Sequence, residues 1–321
     1  MSRSLAPAAL LLLLLTDVAA RAGDADIKKA IAYIEKLEGK VEIDRESPSR
    51  PVIGVDLVGC KVPDDIVEHL RVFPKLQRLN LSQATLSNAA LAPLKGLSRL
   101  EILELSGTPI GDKGLVHLAG APRLRTLNLR GAAVSDAGLA ALKKLTRLQS
   151  LDLSETRIGD RGLAQLEELK ELQSLYLYHT SITNAGLWQV KKLAALRTLS
   201  LNGTAVSDTG LAQLADLKEL RTLTLSNTSV KGPGLSHLKR LPRLQALGLG
   251  QTPLTDAGLA AIEDLGQLRR LYLTGTKITD KGLSHLKGLT NLRQLDLGNT
   301  KVSDKGVADL RKALPKLSVL H

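Results

Sequence analysis

From Val52 onward, apolar residues return every 24 positions. The units open at Val52, Leu76, Leu100, Leu124, Leu148, Leu172, Leu196, Leu220, Leu244, Leu268 and Leu292. A representative unit, LRTLSLNGTAVSDTGLAQLADLKE, spans residues 196–219 and is apolar at positions 1, 4, 6, 11, 16, 19 and 22. Positions 4 and 6 alternate with polar 3, 5 and 7, which predicts a short strand buried on one face. Positions 16, 19 and 22 recur at helical spacing. A unit of strand, turn and helix is too small to bury its own apolar face, so the units must stack in parallel. A twelfth, truncated unit is expected to start at Leu317 after a one-residue insertion.

The punctuation between apolar positions agrees. Position 13 is Asp in eight units (64, 112, 136, 160, 208, 256, 280 and 304), where a carboxylate can cap the helix and complement its dipole. In the deviant stretch SVKGPGL, Pro233 stands at position 14, a residue favoured at the first helical turn. Pro74, Pro122, Pro242 and Pro315 fall just before the next strand, where they stop the helix. Gly occupies position 15 in nine units, from Gly114 to Gly306. A helical glycine costs about 1 kcal/mol relative to alanine, so its recurrence predicts coils too close for a side chain.

The pattern LxxLxL followed by T-x-I-[ST]-D-x-G-L-x-x-L closely resembles the leucine-rich repeats, and most of all their cysteine-containing subtype. Position 9 departs from that subtype: it is Thr in eight units, Ala at 84 and 132, and Cys only at Cys60. The resemblance covers residues 52–321. It implies an α/β leucine-rich-repeat solenoid, a horseshoe with a parallel β-sheet on the concave face and helices on the convex face. It says little about activity, because the family is defined by its scaffold.

Residues 23–51 do not repeat. DADIKKAIAYIEKLEG sets Ile27, Ile31, Ile34 and Leu37 on one helical face with Gly39 as a stop, and VEID reads as a strand, together an N-terminal cap. The opening MSRSLAPAALLLLLLTDVAARAGDAD has the positive start, apolar run and small-residue site of a secretory signal over residues 1–22. Its apolar run is too short to span a bilayer, and no later segment is long enough. The expected mature protein is exported, soluble, and periplasmic or extracellular. At the other end the chain stops at LSVLH, with no polar cap apparent, which predicts fraying or self-association.

Composition changes the picture in three ways. Only 2% of residues are aromatic, so the core must be aliphatic. Cys60 is the only cysteine and cannot form an internal disulfide; it is expected to be buried in the threonine slot. The formal charge is +12, which suits anionic partners if the basic residues cluster. His69, His117, His237 and His285 share position 18 but never occur in adjacent units, so a shared metal is not expected. No phosphate-binding loop or hydrolase motif is present in the sequence, and no cofactor is expected. Sequons at Asn80, Asn202 and Asn227 matter only where asparagine is glycosylated.

Positions 3, 5 and 7 should face the concave side. Those columns contain four acids and three arginines, too balanced for a nucleic-acid groove, so the basic excess is expected to be diffuse over helices and loops. Column 5 runs Asp56, Asn80, Glu104, Asn128, Asp152, Tyr176, an acid–amide alternation leading to Tyr176, Tyr178 and His179. Three of the four tyrosines occupy outward strand positions, where rigid rings act as contact anchors. The candidate ligand-binding residues are Tyr176, Tyr178, His179, Asp152, Glu104, Arg130, Asn202, Arg270 and Tyr272. The reading is a non-catalytic recognition protein for a protein or peptide. The alternative is a module binding glycan or an anionic cell envelope. A glycan-processing enzyme using Glu104 and Asp152, two units apart, is the third reading, weakened because an open sheet offers no evident means to raise one carboxyl's pKa.

Overall fold

A computed structural model describes residues 24–321. The signal expected over residues 1–22 lies outside these residues. Helix α1 (Asp24–Lys36) leads into β1 (Lys40–Ile43), which pairs antiparallel with β2 (Val52–Asp56). From β2 every pairing is parallel and sequential, giving one 13-stranded sheet in chain order. Most strands are three residues long, at positions 3 to 5 of the unit; β6 (Ser150–Asp152) lies beside β7 (Ser174–Tyr176), with Leu151 opposite Leu175. Leu148, Leu151, Leu153, Ile158, Leu166 and Leu169 of one unit are all at 0% exposure. The cluster they belong to runs from Ala30 to Leu317 without a break.

The convex side differs from the helices expected there. Most return segments are short 3₁₀ helices, such as Asp208–Asp216, or one α turn continued by a 3₁₀ turn, as in Asp160–Leu163 and Ala164–Leu166. Packed α-helices need about 8–10 Å between axes, whereas parallel strands are about 4.8 Å apart. The tighter 3₁₀ helix lets successive returns approach more closely. A full α-helix of 10 residues, α2 (Asp304–Ala313), closes the last return.

The position-13 aspartates hold a different bond from the predicted cap. Apart from Asp304 in the last full unit, each carboxylate reaches forward 23 residues and accepts the position-12 N–H of the next coil. Asp112 accepts from Ser135 N at 2.8 Å and Ser135 Oγ at 2.5 Å; Asp160 accepts from Thr183 N at 2.8 Å and Thr183 Oγ1 at 2.6 Å. Asn88 and Asn184 substitute for Asp with the same bond to Gly111 N and Ser207 N. The hydrogen bond from Ser87 holds the Asp64 carboxyl below its ordinary range, and that from Ser303 does the same for Asp280. Helix α2 is capped instead by Ser303 Oγ, which accepts from Gly306 N.

This ladder explains the position-15 glycines. A Cβ on Gly138, Gly162 or Gly282 would collide with Oδ1 of Asp112, Asp136 or Asp256, the carboxylate of the preceding coil. The coils do approach too closely for a side chain, as the spacing predicts. In the threonine slot, all eight hydroxyls donate to the carbonyl three residues earlier, from Thr108 Oγ1 to Leu105 O at 2.7 Å through Thr300 Oγ1 to Leu297 O at 2.7 Å. Each hydroxyl is thereby satisfied within its own turn. Cys60 is half-buried rather than buried, with Sγ 3.7 Å from Val58 O.

The last strand corrects the expected insertion. β13 (Ser318–Leu320) pairs Ser318 with Gln294 and Val319 with Leu295, so the 24-residue register persists. Ladder pairing fixes which face each side chain takes, and a one-residue slip reverses them all. Val319 therefore packs on the core while Leu320 stands 68% exposed.

Candidate functional site

The concave sheet is built from the strand columns and the turn after them. At position 8 every full unit adopts positive φ, filled by Gly59, Gly107, Gly131, Gly203 and Gly275 or by polar residues such as Glu155 (φ 58°) and His179 (φ 51°). This bend aims the position-8 side chain along the surface toward its neighbours. Glu155 thus accepts from Arg130 Nη2 at 2.8 Å across one coil boundary. That bond, with the guanidinium charge, holds the Glu155 carboxyl below its usual range.

Tyr178 lies one coil beyond Glu155. Its ring stacks on His179, with centroids 4.1 Å apart and 29° between planes, and Arg130 Cζ lies 5.8 Å from the ring centroid. Ser154, between Arg130 and Tyr178 in column 7, is small and only 4% exposed, so the two longer side chains close over it. His179 in turn covers Gly203: a Cβ there would strike the imidazole. Three consecutive coils therefore contribute one cluster, Arg130–Glu155–Tyr178–His179, with Tyr176 in the adjacent column between Asp152 and Ser200.

The other candidate residues lie apart from it. Asp152 Oδ1 accepts Ser154 N at 2.8 Å, and Asp56, Asn80, Asn128 and Asp296 make the same bond two residues ahead. The acid–amide stripe is thus a set of turn-forming bonds in large part. Asn202 Oδ1 accepts Ser226 N in the next coil at 2.8 Å. Arg270 and Tyr272 are exposed on β11 (Arg270–Tyr272), four coils beyond Tyr176, with Gly248 beside Tyr272. Glu104 lines a hollow of about 340 Å³ at the start of the sheet, together with Gly54 and Arg78, the latter paired with Glu42. Burial raises the Glu104 carboxyl, the charge of Asp152 adds to this, and the Asn128 amide opposes it. The sheet can raise one carboxyl after all, contrary to expectation.

The chemistry offered is stacking, charge and hydrogen bonding. Burial, then Glu38 and Asp56, push the Cys60 thiol up, away from a reactive thiolate. Among the described residues no group of three or more His, Cys, Asp or Glu could hold a metal, and no helix is long and apolar enough to cross a membrane.

Three features escaped the sequence reading. Glu155 sits outside the three columns considered, yet it ties Arg130 in place. Trp188 is 51% exposed on the convex side, with Lys191 Nζ 3.1 Å from its ring centroid. It stands at position 17, where most units have Ala or Ser, and that contrast was visible in the sequence. Third, the basic excess is clustered, not diffuse. Positions 17–24 of the first four units (68–75, 92–99, 116–123 and 140–147) hold eight Lys and Arg against one acid, Glu68.

The family model described as Leucine Rich repeat matches residues 98–119, 122–143, 144–166, 268–287 and 288–310. No curated protein sequence matches the chain. Among solved structures, an internalin from Listeria monocytogenes is similar with a TM-score of 0.57 and 21% identity, covering 92% of this chain and 94% of that one. A leucine-rich repeat protein of Leptospira interrogans is similar with a TM-score of 0.59 and 24% identity; the match covers 81% of this chain and 63% of that one. With the 13-stranded, mostly parallel sheet and its returning helical turns, these matches show that the chain has the leucine-rich repeat fold.

Proposed function

We propose that this is an exported, non-catalytic recognition protein that holds a protein or peptide along its concave sheet. Residues 1–22 act as the export signal, residues 23–51 close the first coil, and residues 52–321 form the binding scaffold. One observation supports the reading above others: Tyr178 stacks on His179 and has Arg130, itself fixed by Glu155, over its ring. A ring immobilised before binding loses little entropy on contact, which is the behaviour of an interface anchor. Tyr176 and Asp152 extend the surface beside it, and Asn202 borders it. Arg270 and Tyr272 mark a second contact farther along an extended partner, and Glu104 lies at the opposite end.

The test is selection of a random peptide library on the immobilised protein, followed by affinity measurement against Tyr176→Ala/Tyr178→Ala. Selected peptides should bind the double variant at least about tenfold more weakly, the loss of one anchor-sized contribution. Peptides that bind both proteins equally would move the site away from these tyrosines.

A further inference from the structure

On one flank of the first four units the chain places a cation in every coil at position 24: Lys75, Arg99, Arg123 and Arg147. The three arginines are exposed and Lys75 is half-exposed. Among the described residues none of the four has an acid within ion-pair distance; the one lysine or arginine pair in these return segments, Arg71 with Glu68, stays inside a single coil. Like charges set side by side on successive coils repel one another. The same column continues as Glu171, Ala195, Glu219 and Arg243, where Arg243 is hydrogen-bonded to Glu219. The single-sign row is therefore local, and the fold does not require it. Lys95, Lys143 and Lys144 add charge of the same sign at positions 20 and 21.

We propose that this flank binds an extended acidic polysaccharide, whose successive anionic groups supply the counter-charges that the coils lack. The row follows the solenoid axis with one cation per coil, about 4.8 Å apart at strand spacing, which matches a linear polymer better than a compact anion. Phe73 is the one Phe, Trp or Tyr in these four return segments and is 2% exposed, so bases would find no exposed ring of these types to stack on. Val116 is the one large apolar side chain exposed there, too little to enter a bilayer. This surface is separate from the concave cluster.

The test uses fluorescence anisotropy with labelled heparin as the sulfated polysaccharide. Arg99→Glu/Arg123→Glu/Arg147→Glu is compared with Lys277→Glu/Lys301→Glu/Lys305→Glu, an equal charge change at exposed positions of the last units. The first variant should bind at least about tenfold more weakly at low salt and lower the slope of log affinity against log salt by about two to three; the second should lose less than about threefold. Arg99→Gln/Arg123→Gln/Arg147→Gln, with its far-ultraviolet circular dichroism, guards against a folding defect and should show the same order of effect. Equal losses in both charge-reversal variants would overturn the proposal, since binding would then follow net charge alone. Tighter binding of the unaltered protein to duplex DNA or to phosphatidylglycerol vesicles than to heparin would overturn the choice of ligand.

Discussion

The first four return segments and the seven that follow share a backbone but treat charge in opposite ways. In the later segments acid-rich and base-rich coils tend to alternate, and ion pairs cross the boundaries between them. Lys192 meets Glu167 at 2.7 Å, Lys239 meets Asp264 at 2.6 Å and Arg240 meets Asp216 at 3.4 Å. In the first four, cations follow cations. Both regions rest on the same leucine core and the same carboxylate ladder, so folding does not account for the difference. Exposed pairs contribute only about 0.2–1 kcal/mol each, which leaves surface charge free to serve another purpose.

The largest expected effect tests what the regions have in common. Asp112→Ala in the first and Asp160→Ala in the second should each destabilise by about 1–3 kcal/mol in chemical denaturation, because each strands a backbone donor of the next coil. Asp→Asn at either site should be much milder, given that Asn88 and Asn184 fill the slot naturally. Unequal losses would show that the coils are not equivalent beneath the surface.

A smaller effect separates the regions. Arg99→Glu converts the row into an alternation of Lys75, Glu and Arg123 and should stabilise the protein by about 0.3–1 kcal/mol at low salt, with the gain fading as salt is added. Glu219→Gln, which removes the partner of Arg243, should destabilise by a similar amount or less. Both changes moving stability in the same direction would erase the distinction.

The smallest effect concerns Glu104. Its carboxyl titrates above the ordinary value in the folded chain because burial favours the neutral form. The folded state then holds the proton more tightly than the unfolded one, so stability falls as pH rises from the ordinary range through the raised value. Glu104→Gln should therefore raise Tm slightly near pH 7, and the difference should vanish near about pH 4. A gain that persists at low pH would assign the effect to packing.

Much of the fold was legible because its signals are strictly periodic. Leucines at positions 1, 4 and 6 define the buried strand, and the recurring glycine marks a close approach before its neighbour is known. What the sequence hides is which atoms meet across coils. Asp at position 13 has the composition of a helix cap, and only the stacked geometry shows its carboxylate bound to the coil ahead. The spacing of 16, 19 and 22 cannot separate α from 3₁₀ turns, because residues three apart share a face in both. Leu317 satisfies the repeat by one-residue displacement, yet the hydrogen-bond register overrides it and puts Val319 inside. At the candidate site, Tyr178 and His179 were visible as outward rings, but the tie from Arg130 to Glu155 depends on a left-handed turn. The basic flank was missed because the balance of acids and bases was read only along the concave columns; position 24 read across units shows it directly.

The forward-reaching carboxylate also sets what edits the molecule tolerates. Since each bond links position 13 of one coil to position 12 of the next, it depends on the neighbour's phase and not on how many neighbours there are. Excising residues 196–219 as a block would set Asn184 against the backbone N–H of Lys231, which takes the place of Ser207, and would leave the remaining bonds in step. Removing a single residue from the same stretch would throw all later coils out of phase. The architecture can change length in whole turns of the spiral, and in nothing smaller.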